Sequence, residues 1–275
     1  MLCWPSTGVI AVESRLGAML ASSVEDHSLA PAAGLVAGAE RARNSLLLHF
    51  GADPGGHVEV RRYDLASELR FARPSDGLAF LRTVASMVPA GKRGTLETTP
   101  DGQVMTAYVR TAKRGVVLSR IYDKGRESGS DPPGERVRIE NQNRPPRSKR
   151  QSPDVLASAD LTATFGRTMT PFLVPEALIV AGSDGAVAQL AARVVVGDLS
   201  PAKAERLVGS VELLKFGGRA VYDREGDTSK RNNERSARRL KALRDEGIVL
   251  SDELPADSVV PVSALLRDAI ERFRA

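Results

Sequence analysis

The chain has 275 residues, 42% of them hydrophobic but only 4% aromatic, so a core is affordable and must be built mainly from aliphatic side chains. Its net charge of +5 suits a polyanionic partner without demanding one. No apolar run nears the roughly 20 residues a membrane-spanning helix needs, the start Met-Leu-Cys-Trp-Pro lacks the basic opening of a signal peptide, and the lone Cys3 cannot close an internal disulfide. The expectation is a cytoplasmic protein with no membrane partner. His27, His49 and His57 form no spaced cluster with Cys3, which argues against structural zinc.

Residues 1–43 are rich in Ala, Gly and Ser, with helix-like apolar spacing from Val9 to Leu20. Ser45 to Phe50 is a short apolar run, and the turn signal Ala52 to Gly56 separates it from an extended segment, His57 to Phe71; together they read as a hairpin. Pro74, Ser75 and Asp76 open a helix that carries Leu78, Phe80, Leu81, Val84 and Met87 along one face and stops at Pro89. Strands are predicted over Thr95–Thr99 and Val104–Arg110, either side of the turn Pro100-Asp101-Gly102. A further strand is expected over Gly115–Lys124, then a polar loop Gly125–Gly134, then a strand Glu135–Gln142.

Arg144 to Pro153, with three prolines and four basic residues, reads as a linker or a DNA-facing loop. Beyond it the pattern turns helical, with candidates Asp154–Phe165, Gly185–Val196, Pro201–Phe216, Ser229–Glu246 and Ser263–Phe273. Ser200 caps one of them, with Pro201 at its first helical position. The fold class expected is α+β. Residues 1–150 form a mostly antiparallel sheet with covering helices, and residues 151–275 a mainly helical second domain.

Three segments carry chemistry. In Leu118 to Gly125, strand alternation puts Arg120, Tyr122 and Lys124 on one face. A phenol between two cations ionises more readily, and the same cations can hold a phosphate, a setting for tyrosine attack on a phosphodiester. An ordinary surface tyrosine stacked on basic stems has the same spacing. In Arg136 to Gln142, Arg136, Arg138, Glu140 and Gln142 share a face; Glu140 is either an ion-pair partner or a metal ligand beside a phosphate surface. In Arg61 to Glu68, Arg62, Asp64 and Glu68 face one way, a solvated strand face or two carboxylates converging on a hard cation. His57 and Glu59, two apart on the opposite face, are a weaker rival for a metal.

The order and wording of these segments resemble the replication initiation factor family of rolling-circle plasmid and phage initiators, closest in look to actinobacterial phage and prophage versions. In that family an Arg-x-Asp-x-x-x-acid segment precedes an Arg-x-Tyr-Asp-Lys strand, and an Arg-x-Glu strand follows. Here these are Arg62 to Glu68, Arg120 to Lys124 and Arg138 to Glu140, and the resemblance spans roughly residues 46–145. It implies a nicking enzyme in which Tyr122, flanked by Arg120 and Lys124, forms a 5′-phosphotyrosine. It also implies Mg²⁺ or Mn²⁺ held by Asp64, Glu68 and Glu140, and origin DNA, single-stranded or supercoiled, as partner, with a host helicase and a second copy of the chain. Glu68 stands where the family usually has Asp, one methylene longer.

The remaining candidates are basic. Arg138, Arg144, Arg147, Lys149 and Arg150 cluster ahead of the helices. Arg235, Arg238, Arg239 and Lys241 lie on a helix whose buried stripe is expected to be Ala237, Leu240 and Leu243. That helix, followed by Gly247 and the apolar Ile248-Val249-Leu250, resembles the recognition helix and first wing strand of a winged helix. Ala220 to Arg224 echoes the Tyr122 segment through Tyr222 but lacks a companion Arg-x-Glu strand. Three function classes follow: a nicking enzyme, a non-catalytic DNA-binding prophage protein derived from one, and a structural phage protein.

Overall fold

The computed structural model describes residues 2–4, 9–11, 59–87, 94–110, 117–129, 131–169, 177–217 and 230–272, with isolated positions at 40, 41, 44 and 48. The chain is α+β, built on a five-stranded antiparallel sheet. Two short strands come first, β1 (Leu2–Trp4) and β2 (Val9–Ala11), paired antiparallel. Val9 to Ala11 are therefore extended where apolar spacing suggested helix. Leu48 is helical although its run read as a hairpin strand; of the expected second arm, Tyr63–Arg70 is a strand, and the turn between the two runs lies outside the described residues.

The main sheet contains β3 (Tyr63–Arg70), β4 (Gly94–Thr98), β5 (Val104–Arg110), β6 (Val117–Asp123) and β7 (Arg136–Asn143), in the order β3-β7-β6-β5-β4. Alternation sends Leu65, Leu69, Ala107, Val109, Ile121, Val137 and Ile139 to one face, where all are buried. Helix α1 (Pro74–Met87) covers that face with Phe80, Leu81 and Val84, each fully buried. Burial of such side chains is worth about 1.5–3 kcal/mol each. Because β7 inserts between β3 and β6, segments some 70 residues apart in the chain become direct neighbours.

The end of β6 is tied down by Asp123, itself 3% exposed. Its carboxylate accepts from the backbone of Arg126 and of Gly134, each at 3.0 Å. The first bond caps a short helix, α2 (Lys124–Ser128), in place of the expected polar loop. Lys124 thus starts a helix and leaves the strand face, pairing with Glu127 at 2.5 Å. Gly134, at φ 88°, lies against α1 so closely that a Cβ on Gly77 would sit 1.9 Å from its carbonyl oxygen. No side chain fits there.

After β7 a 3-10 turn (Arg147–Lys149) leads to α3 (Pro153–Ala157) and α4 (Leu161–Met169). One helix was expected here; Asp160 breaks it by accepting from the Ala163 backbone at 2.8 Å, starting a new helix. Helices α5 (Ser183–Val195), α6 (Pro201–Gly217), α7 (Lys230–Asp245) and α8 (Val262–Arg272) fall close to their predicted bounds. A small sheet joins them: β8 (Ile179–Ala181) is central, parallel to β9 (Ile248–Leu250) and antiparallel to β10 (Val259–Val260). Strands β9 and β10 flank β8 and are not bonded to each other as a wing hairpin would be.

The apolar cluster under α1 continues through Leu156, Phe165, Met169, Val180, Val262 and Leu266, so buried contacts cross residue 150. A second cluster holds α5, α6 and the end of α7 through Leu190, Leu207, Val211 and Leu243. Of the expected stripe on α7 only Leu243 is buried; Leu240 is 41% exposed and Ala237 is exposed. The helix docks by its last turns onto α6 and β9. Among the described residues, no helix is long and apolar enough to cross a membrane.

Candidate active site and nucleic-acid interface

The outer face of the main sheet brings the three motifs together. Register pairs Tyr122 with Arg138 and Arg138 with Glu68; the neighbouring row pairs Arg120 with Glu140 and Glu140 with Ala66. Two adjacent rows therefore contain Tyr122, Arg120, Arg138, Glu140 and Glu68. Asp64 lies one row further along β3, opposite Gln142.

Tyr122 is 4% exposed, and its hydroxyl donates to Glu140 Oε2 at 3.0 Å. Arg120 Nη2 donates to both oxygens of the same carboxylate, at 2.8 and 2.9 Å, while its guanidinium lies over the Tyr122 ring, 4.6 Å from the centroid. Arg120 Nε is buried and has no hydrogen-bond partner among the described residues. A buried donor left unmet costs about 1–3 kcal/mol, so an arriving acceptor would be favoured. Alongside, Arg138 donates to Glu68 Oε1 through Nε at 2.7 Å and also through Nη2. Arg136 reaches Asp131 at 2.6 Å and approaches Glu68 at 3.9 Å.

This arrangement reverses the electrostatic expectation for the phenol. Burial first and the Glu140 carboxylate second hold the Tyr122 hydroxyl well above its ordinary value of 10.0; Arg138 and Arg120 pull it down and lose. Lys124, the other expected cation, is occupied with Glu127. Alkaline titration followed by tyrosinate absorbance should therefore show a late-ionising tyrosine, and Tyr122→Phe should remove the last step. Persistence of that step in the variant would assign it elsewhere. The neutral phenol is the form the fold favours, so its contribution to stability is complete below the unfolded value and is lost as pH rises through the higher folded one.

The carboxylates expected to bind Mg²⁺ or Mn²⁺ do share a face. Asp64, Ala66 and Glu68 alternate along β3, and Glu140 stands opposite Ala66, so the three acids surround one methyl group. Each is already answered by an arginine: Asp64 by Arg62 at 2.6 Å, Glu68 by Arg138, Glu140 by Arg120. Among the described residues, no three His, Cys, Asp or Glu side chains gather into a group that could hold an ion. In this arrangement each carboxylate is matched by a guanidinium, and a divalent cation held there would have to displace those arginines. His57 lies outside the described residues, and Glu59 pairs with Arg150 at 3.6 Å.

The basic candidates are spread more widely. Arg138 belongs to the outer face. Arg144 follows β7 and is exposed; Arg147 opens the 3-10 turn, and its side chain lies outside the described residues. Lys149 is exposed, and Arg150 is half-buried. On α7, Arg238 and Lys241 are exposed, Arg239 is half-buried, and Lys241 stands 4.0 Å from Asp245. The Arg235 side chain and the whole of Tyr222 lie outside the described residues.

One outer-face residue was not singled out from the sequence: Tyr108 on β5, the cross-strand partner of Arg120. Alternation along Val104–Arg110 could have placed Tyr108 on a face, but only the register places it next to Arg120. Comparisons with family models, with curated proteins and with solved structures found no match for this chain.

Proposed function

We propose that the chain nicks one DNA strand through Tyr122, as the initiators its motifs resemble do. The observation that carries this reading is the buried hydrogen bond from Tyr122 to Glu140 on a face lined by Arg120, Arg136 and Arg138. A nucleophile bonded to an acceptor, with that acceptor held by a third group, is the arrangement nucleophilic catalysis requires. In the proposed step the Tyr122 oxygen attacks phosphorus and its proton passes to Glu140 Oε2. The bond from phosphorus to the 3′ oxygen breaks; that oxygen takes up a proton and leaves as a free 3′-OH, while the phosphate stays on Tyr122 as a 5′-phosphotyrosine. Arg120 and Arg138 stabilise the charge that builds on the phosphoryl oxygens.

Mg²⁺ or Mn²⁺ belongs to this proposal as an activator on the side of Asp64, Glu68 and Glu140; no step above runs through it. A host helicase and a second copy of the chain belong to it as partners. The test is incubation with supercoiled DNA carrying the protein's own locus, with and without Mn²⁺, followed by a search for protein covalently attached to DNA. A metal-dependent adduct on the 5′ side supports nicking.

A second reading, DNA binding without catalysis by a prophage-derived relative of such enzymes, is favoured by one observation: the phenol is buried and held protonated. Retention on DNA without any adduct decides for it. Loss of salt-sensitive retention as well would leave the structural phage protein.

For either reading, α7 is proposed to lie on duplex phosphates as a winged-helix reading helix would, through Arg235, Arg238, Arg239 and Lys241. Each phosphate contact removed lowers the salt slope of binding by about one unit. Arg238→Ala combined with Arg239→Ala should weaken duplex binding and flatten its dependence on salt. Parallel slopes for variant and wild type would move the duplex surface to Arg144, Arg147, Lys149 and Arg150.

A further inference from the structure

Tyr108 faces the same way as Thr106, which pairs with Tyr122, and away from Ala107 and Val109, which are buried in the core. It is half-buried, whereas Tyr122 is nearly enclosed. On its other side lies the edge strand β4, where Thr95 to Thr98 are all exposed. On the far flank of Tyr122, Arg138 and Glu68 close the face with an ion pair. Tyr108 therefore stands between the exposed edge strand and Arg120, diagonal to Tyr122 on the same face. Its hydroxyl donates to Glu97 Oε2 at 3.0 Å, which anchors the far end of the ring before any ligand arrives. An aromatic set in advance loses little freedom on binding.

We propose that Tyr108 is a positioning residue that stacks on a nucleobase of single-stranded DNA laid across the outer face beside Tyr122. This rests on the reading of that face as a DNA site. The arginines there complement the phosphates, and a ring between them and the sheet edge supplies what they cannot, affinity for the base itself. Every base has a π-face, so this contact tolerates any sequence. The ring is not a second nucleophile: burial first and Glu97 second hold its phenol above the ordinary range, and its bond to Glu97 directs it away from Arg120.

The test is a cycle of binding titrations with a short oligothymidylate and an abasic deoxyribose-phosphate chain of the same length, at one salt concentration. Wild type should prefer the oligothymidylate by about tenfold, the scale of one stacked base. Tyr108→Ala should lose that preference while binding the abasic chain as wild type does, and Tyr108→Phe, which keeps the ring, should retain it. An equal penalty on both probes for Tyr108→Ala, or loss of the preference in Tyr108→Phe, overturns the proposal. The cycle needs no cleavage. Absence of adduct with the stacking preference intact therefore counts against nicking alone, and absence of binding to either probe counts against the DNA reading and the proposal together.

Discussion

Tyr122→Phe should reduce covalent attachment to DNA to background while the protein folds and binds DNA as before. The substitution removes one oxygen from a side chain that is 4% exposed and leaves its ring in place under Arg120. What is lost is a hydrogen bond to a charged acceptor, worth about 1.5–3 kcal/mol. Part of that is recovered, because Glu140 keeps both contacts from Arg120 and no buried polar group is stranded. Thermal unfolding and DNA titration of the variant check the fold and the binding; labelled DNA resolved under denaturing conditions checks the adduct. An adduct of wild-type yield in Tyr122→Phe would remove Tyr122 from the chemistry and make Tyr222 the first alternative.

The second large effect is expected at Glu140. Motif logic treats it as a metal ligand, whose loss would harm activity and spare stability. The structure gives it a different weight, because it is 4% exposed and is the acceptor for both Arg120 and Tyr122. Glu140→Ala would leave Arg120, whose Nε is already unmet, as an uncompensated cation on the sheet. Breaking one side of a buried pair costs about 3–5 kcal/mol; since Arg120 keeps a quarter of its side chain exposed, about 2–4 kcal/mol is expected. Glu140→Gln keeps the shape and an acceptor for Tyr122 but no charge, and should cost less. Urea unfolding of the two variants measures this. A Glu140→Ala protein as stable as wild type would mean that Arg120 finds another partner at once.

How much of this could be read from the sequence differs by kind. The strand Val104–Arg110 and the helix opening at Pro74 came out at or near their observed bounds, because turn residues and periodicity mark them locally. The face shared by Arg136, Arg138 and Glu140 was legible for the same reason, since alternation needs no partner. Contacts between faces were not. That Glu140 would meet both Arg120 and Tyr122 follows from the β6–β7 register, which alternation alone leaves open. Reading Lys124 as a strand residue failed at one atom pair, the Asp123 carboxylate and the Arg126 backbone, where a cap competes with the strand and wins. The short strands β8 and β10 escaped because runs of two or three residues carry no period.

The clamp at Asp123 also has a kinetic meaning. Tyr122 is the residue before it, and its strand is paired on both sides, with Thr106 and with Arg138. The backbone under the phenol is thus held from three directions. Exposure of the hydroxyl falls to side chains, chiefly to Arg120 turning off the ring and away from Glu140. Rotamer changes of this kind take picoseconds to nanoseconds once the ion pair parts, far faster than the microseconds to milliseconds of a moving lid. Exposure of the hydroxyl is then a matter of population: a few kcal/mol of pairing leaves the open form at roughly 0.1–10% at any instant.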